Sequence, residues 1–297
     1  MKIIGVDQKL CISCTECIKE CPMDLYGINP EDSSEKEQVI HEDPYNRCNG
    51  CGHCIAICPE SAILYEDGEP PLDYIGDGDP GEGISYDDLM QILRSRRSVR
   101  RYKAKAIPRE ELEAILDAMR YAPSASNMQS WRYIVLTDPD SIGTLRNAVF
   151  DLMNLARKLI NFAKYVKFLI PKKLKKSALD PGNKVSLDIF SKKVEDGKDP
   201  ALYNAPAVII TYAPEYGSMA GNDAGIALTH GMLAARARGL DTCWIGFAQE
   251  AINRSKKLKK WLKIPKSMKV NGVIVLGYPA VKYKRAPPRK ALKIDWK

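Results

Sequence analysis

The stretch CISCTECIKECP, from Cys11 to Pro22, returns as CNGCGHCIAICP from Cys48 to Pro59. In both copies four cysteines stand two, two and three residues apart and are closed by proline, at a constant offset of 37 residues, which marks an internal duplication. Two copies imply one small pseudo-symmetric domain. Eight of the nine cysteines lie in these blocks. In an exported chain they would pair as disulfides, whereas in a reducing compartment they read as metal ligands. The Met-Lys-Ile-Ile start leads into the cysteines with no basic segment, no apolar stretch of signal length and no small-residue cleavage site, so a cytoplasmic location is expected.

Structural zinc takes four Cys or His per metal and usually shows two separated pairs, not a triple followed by a fourth cysteine before proline. Cys-x2-Cys-x2-Cys lets one loop wrap three corners of an iron-sulfur cluster, because thiolate sulfur donates strongly to iron. Residues 1–66 resemble the bacterial two-cluster 4Fe-4S ferredoxins, with every ligand position matched. The resemblance implies two 4Fe-4S clusters, and the fourth cysteine of each run serves the other cluster. One cluster then takes Cys11, Cys14, Cys17 and Cys58, and the other Cys48, Cys51, Cys54 and Cys21. His53, inside the second loop, is read as facing solvent.

After AILYED comes GEPPLDYIGDGDPGEG, rich in Gly, Pro and Asp, which places a linker at residues 67–84. A second domain, 85–297, starts at Ser85, which with Asp88 resembles a capping box ahead of an apolar stripe of Leu89, Ile92 and Leu93. Pro108 suits a first helical turn before Leu112, Ile115, Leu116 and Met119 at helical spacing. WRYIVLT (131–137), PAVIITYA (206–213), DTCWIGF (241–247) and VNGVIVLGY (270–278) read as strands of one buried sheet. The run 223–240 between the second and third reads as a helix capped by Gly239. Helices flanking a sheet make this domain α+β. From Asp151 to Ile170, Leu152, Leu155, Leu159, Phe162, Val166 and Leu169 form a stripe followed by PKKLKK. It is read as packing on the protein, as a lid or dimer element, rather than on a membrane surface.

The net charge of +8 conceals two unlike ends. Residues 1–90 hold 5 Lys/Arg against 20 Asp/Glu, and the rest 40 against 17. No zinc finger, RRM or aromatic-interleaved basic run accompanies the basic part, so nucleic acid is not the expected partner. A small anionic cofactor and attraction of the acidic domain account for the charge. Arg96, Arg97, Ser98 and Arg100, after a helix, make a donor set suited to phosphate. APSASNMQSW adds small residues that let a flat ring approach the backbone, with Asn127 and Gln129 as amide donors and acceptors.

In this order these residues resemble the nitroreductase family of FMN-dependent oxidoreductases, over residues 88–290. The resemblance implies that Arg96, Arg97, Ser98 and Arg100 hold the flavin's phosphate, ribityl chain and ring edge. It implies that Pro123, Ser124, Asn127 and Gln129 reach the flavin of a partner subunit. It also implies that the backbone of Ile245 and Gly246 approaches the ring near N5, and that Arg285, with Lys284, meets the phosphate. The implied fold is an α+β sandwich with a mainly antiparallel sheet, in a homodimer with FMN at its interface. Residues 148–200 match the family's variable lid region. Cys243 and His230 are read as packing residues.

Neither a Ser/His/Asp set, nor a Walker loop, nor a GxGxxG between strand and helix is present, so the expected chemistry is the flavin's. The sequence is thus expected to specify an oxidoreductase taking electrons from an external low-potential donor through two 4Fe-4S clusters to FMN and on to a small acceptor such as a nitroaromatic, quinone or enone. The alternative is a relay that hands electrons to a partner protein and turns over no small substrate.

Overall fold

In the computed structural model, residues 1–30, 37–75, 79–163, 165, 179–215 and 219–297 are described. The chain divides into two compact units, Met1–Ile84 with Ser124–Met128, and Ser85–Pro123 with Gln129–Lys297.

In the first unit the sequence duplication is carried into the backbone. β1 (Lys2–Val6), α1 (Glu16–Glu20) and β2 (Tyr26–Ile28) are followed by β3 (Val39–His41), α2 (His53–Ile57) and β4 (Ile63–Glu66). Each short helix starts after a residue in the left-handed region, Thr15 at φ 64° and Gly52 at φ 77°. Each ends on an extended cysteine, Cys21 at φ −76°, ψ 109° and Cys58 at φ −76°, ψ 111°. Proline follows both, which is where a helix cannot continue. The strands pair across the repeats: β1 with β4, and β2 with β3, both antiparallel. Each half therefore depends on the other for its backbone hydrogen bonds. The core is small, built on Ile3, Val39, Ala62 and Ile63 with Cys11, Cys17 and Cys54.

Among the described residues of 67–84, the one regular element is a 3-10 turn at Pro80–Gly83. The second unit begins with α3 (Tyr86–Ser95), whose N-cap Ser85 accepts from the Asp88 amide at 3.1 Å. Pro108 caps α4 (Arg109–Arg120) from just outside the first turn. β5 (Arg132–Leu136), α5 (Pro139–Ala163), α6 (Pro181–Glu195), β6 (Ala207–Pro214), α7 (Ala220–Ala237), β7 (Asp241–Trp244), α8 (Gly246–Arg254), α9 (Lys256–Trp261) and β8 (Met268–Gly277) follow. Gly239, at φ 74°, closes α7.

The four strands form one antiparallel sheet in the order β5-β6-β8-β7. Successive strand residues face opposite sides, and both sides are covered. Ala207 and Ile209 of β6 and Ile274 and Leu276 of β8 pack with α4 and α7 through Ile115, Met119, Ala227 and Leu228. Val208, Ile210, Val273 and Val275 pack with α5 and α8 through Leu145, Val149, Ala248 and Ile252. The unit is an α+β sandwich. Gly272 permits its closest approach, since a Cβ there would stand 2.2 Å from Leu228 Cδ1 and 2.7 Å from the Trp244 ring.

Two helical stripes are left partly exposed in the single chain. α5 begins at Pro139, and its buried face is Ile142, Leu145, Val149 and Met153. Leu155, Leu159 and Phe162 are exposed within the single chain, as are Leu89 and Leu93 of α3. Val166, Leu169 and the PKKLKK run lie outside the described residues.

Candidate functional site

Among the described residues of the first unit, the cysteines gather around two separate cavities. Cys11, Cys14, Cys17 and Cys58 line one, and Cys21, Cys48, Cys51 and Cys54 line the other. The crossing follows from the backbone: α1 carries Cys17 inward, and the extended residue after it turns Cys21 away to the opposite half. Main-chain amides point at the thiols in matched pairs. Ser13 and Gly50 donate to Cys11 Sγ and Cys48 Sγ, both at 3.4 Å, and Leu25 and Ala62 donate to Cys21 Sγ at 3.4 Å and Cys58 Sγ at 3.2 Å. Burial, then the neighbouring Cys11, Cys14 and Cys58 sulfurs, push the Cys17 thiol up to about 11. Burial likewise raises Cys54. Thiols held this way bind metal only with release of their protons. His53 is exposed.

In the second unit a pocket of about 410 Å3 opens where β7 ends and α8 begins. Arg100, Tyr203, Cys243, Ile245 and Gly246 lie on its wall. β7 stops at Trp244, so Ile245 caps α8 and Gly246 is its first residue. The run from Arg96 is laid against β7, with Ser98 bridging Thr242 and the Val99 amide donating to Thr242 O at 3.0 Å. Arg96 is the C-cap of α3. Arg97 leaves Nη2 buried and without a hydrogen-bond partner, a donor suited to an anion. The Cys243 thiol is raised by burial, against the pull of Arg100 and Ser98.

The pocket thus gathers Arg100, Ile245 and Gly246, with Arg96, Arg97 and Ser98 leading into it. Pro123, Ser124, Asn127 and Gln129 do not line it. They belong to a turn containing the 3-10 residues Ala125–Asn127, with Asn127 at φ 50° and Gln129 at φ 43°. Ser124–Met128 group with the first unit, where Asn127 Nδ2 donates to Gly50 O at 2.7 Å. Lys284 and Arg285 are exposed in the segment after β8 and line no part of the pocket.

Sequence reasoning passed over Tyr203. The Arg100 guanidinium stands 5.8 Å from its ring centroid. Tyr203 is held at φ 60° by Asp199, whose buried carboxylate accepts from the amides of Ala201, Leu202 and Asn204 at 3.0, 2.9 and 3.0 Å. A bulky residue at positive φ marks a stretch held in place by its surroundings. The signal was available in DPALYNAP, an acidic residue and a proline ahead of the strand.

Residues 93–278 match the model of the nitroreductase family, and residues 10–63 match that of the 4Fe-4S dicluster domain. The chain belongs to the nitroreductase family. It is similar to an NADH dehydrogenase of Thermus thermophilus, 27% identical over 194 residues covering 65% of this chain and 87% of the relative. A nitroreductase structure with bound FMN from Desulfitobacterium hafniense shares the fold, with a TM-score of 0.50 and 22% identity over 69% of this chain and 97% of the other. The dicluster part is 36% identical over 53 residues to a component of an ion-translocating oxidoreductase complex of Methanosarcina acetivorans, a match that covers 18% of this chain and 17% of the relative. The protein is a nitroreductase-family oxidoreductase fused to a 4Fe-4S dicluster domain. Among the described residues, no helix is long and apolar enough to cross a membrane.

Proposed function

We propose that this oxidoreductase draws electrons from an external low-potential donor by way of two 4Fe-4S clusters in the first unit and delivers them, at FMN in the second, to a small acceptor of the nitroaromatic, quinone or enone class. The observation that carries the reading is the grouping of thiols, three from one block and the fourth from the other around each cavity, in one chain with a nitroreductase unit. Four sulfurs gathered around each cavity fit the ligand set of a cluster. The orphaned Arg97 Nη2 fits a phosphate.

Cys11, Cys14, Cys17 and Cys58 would hold one cluster, and Cys48, Cys51, Cys54 and Cys21 the other. The Ser13, Gly50, Leu25 and Ala62 amides would stabilise negative charge on the ligand sulfurs. Bound flavin would supply both one-electron and two-electron chemistry at the junction. Arg96, Arg97, Ser98 and Arg100 would bind its anionic and polar parts. A Cβ at Gly246 would meet nothing within 4 Å, so this backbone is open to a flat ring. Ile245, buried beside it, shields that edge from water.

The family resemblance supports a homodimer, in which the exposed Leu89, Leu93, Leu155, Leu159 and Phe162 would be covered. Pro123, Ser124, Asn127 and Gln129, with Lys284 and Arg285, would then serve a flavin only in the assembled dimer.

The test is anaerobic: the protein is reduced chemically, mixed with a panel of nitro, quinone and enone compounds, and flavin reoxidation is followed. Acceleration by a member of the panel is expected. Acceleration by a redox protein alone would make the chain a relay instead. Cys58→Ala tests the ligand sets separately, and should remove the signal of the cluster held mainly by the first block while leaving the other. Loss of the second-block signal alone would overturn the assignment.

A further inference from the structure

The duplication supplies an internal control for what surrounds each set of thiols. Shifted by the repeat offset of 37 residues, Tyr26 falls on Ile63 and His41 on Ile4. Tyr26 and His41 both line the cavity of Cys21, Cys48, Cys51 and Cys54, with ring centroids 4.9 Å apart. Tyr26 Oη and His41 Nε2 are each buried without a hydrogen-bond partner. Cys54 lines the same cavity, and no hydrogen bond of good geometry joins its thiol to the Tyr26 hydroxyl. A buried donor left unpaired costs about 1–3 kcal/mol, so the Tyr26 hydroxyl is placed to donate to sulfur at this cavity. In the other cavity the residue matching Tyr26 is Ile63, 5% exposed, which offers no polar side-chain atom, and Ile4 does not reach the wall; Thr15, the one hydroxyl on that wall, has Gly52 as its counterpart and is not a buried unpaired group. The backbone donors, by contrast, are matched between the halves.

Resting on the reading that both cavities hold 4Fe-4S clusters, we propose that the two are inequivalent, and that the cluster of Cys21, Cys48, Cys51 and Cys54 is reduced first because Tyr26, seconded by His41, places buried, unpaired side-chain donors at positions where the other repeat has Ile63 and Ile4. Reduction adds one negative charge, taken as one electron from an external low-potential donor, while Tyr26 keeps its proton and no bond at the protein is made or broken. Donors directed at cluster or ligand sulfur stabilise the more negative state and raise the potential. The added electron therefore settles on this side of the domain. A partition of at least about tenfold is expected, which for one electron is 59 mV.

The experiment is a mediated potentiometric titration of the full-length, anaerobically reconstituted protein followed by EPR, with iron and sulfide measured on the same samples. Two one-electron waves are expected in the wild type. Tyr26→Phe should lower the upper wave toward the lower and leave the lower one in place, and His41→Leu should move the upper wave in the same direction. Coincident waves in the wild type, or a Tyr26→Phe protein whose upper wave does not fall, would overturn the inference with the dicluster reading intact. Iron well below about eight atoms per chain would overturn that reading and the inference together.

Discussion

Removing the Asp199 carboxylate tests whether the wall of the second-unit pocket is held from behind. Asp199 is 8% exposed, and its two oxygens accept from three amides, Oδ1 from Ala201 and Leu202 and Oδ2 from Asn204. Hydrogen bonds to a charged acceptor are worth about 1.5–3 kcal/mol each, and a buried amide stripped of its partner costs about 1–3 kcal/mol. Because the three bonds share one group they do not add, and Asp199→Ala is expected to cost roughly 3–5 kcal/mol. Asp199→Asn keeps an acceptor for Ala201 and Leu202 but loses the charge and the bond from Asn204, so about 1.5–3 kcal/mol is expected. Released from its turn, Tyr203 should leave φ 60° and move from under Arg100. Urea unfolding followed by circular dichroism gives the stabilities, and flavin retained through gel filtration gives the consequence for the pocket. Both variants should lose flavin before they lose iron. An Asp199→Ala protein within about 0.5 kcal/mol of wild type, the range of ordinary surface substitutions, would refute the reasoning.

Gly272→Ala should destabilise the second unit by about 1–3 kcal/mol, since the new methyl overlaps Leu228 and the Trp244 ring; an unchanged urea midpoint would contradict the packing described. Arg97→Ala should weaken flavin retention and leave iron content intact, and equal loss of both would signal misfolding instead. Asp138 accepts from the Ser141 amide at the start of α5, at 2.7 Å, which holds its carboxyl below the usual 3.8. A depressed folded pKa contributes stability above the unfolded value that is lost as pH falls through the folded one. Asp138→Ala should therefore lower the Tm at neutral pH by an amount that shrinks on acidification below about 3.8, and a difference that grows in acid would contradict the sign.

The features legible in the sequence were those fixed by local pattern. The alternation of Val208, Ile209 and Ile210 marks a strand buried on both faces, and the Ser85 cap and Gly239 stop mark helix ends through their own backbone chemistry. Which stripe of α5 faces the sheet was not legible. Leu155, Leu159 and Phe162 are exposed although Val149 and Met153 of the same helix are buried, and the choice is made by where the strands put the helix axis. Tyr203 escaped notice because its positive φ is imposed by Asp199 and not by its own preference. In the first unit the thiol spacing shows in the sequence. Tyr26 and His41 gain meaning only once β2 and β3 pair and bring both rings to one cavity.

The central claim is that one chain carries two clusters and a flavin that fill from a common donor. An anaerobic reductive titration of the full-length protein with a low-potential one-electron donor, read by absorbance and EPR, measures this most directly. About four electron equivalents per chain are predicted, one for each cluster and two for the flavin. An uptake of about two equivalents, with no EPR signal from reduced clusters, would contradict the account.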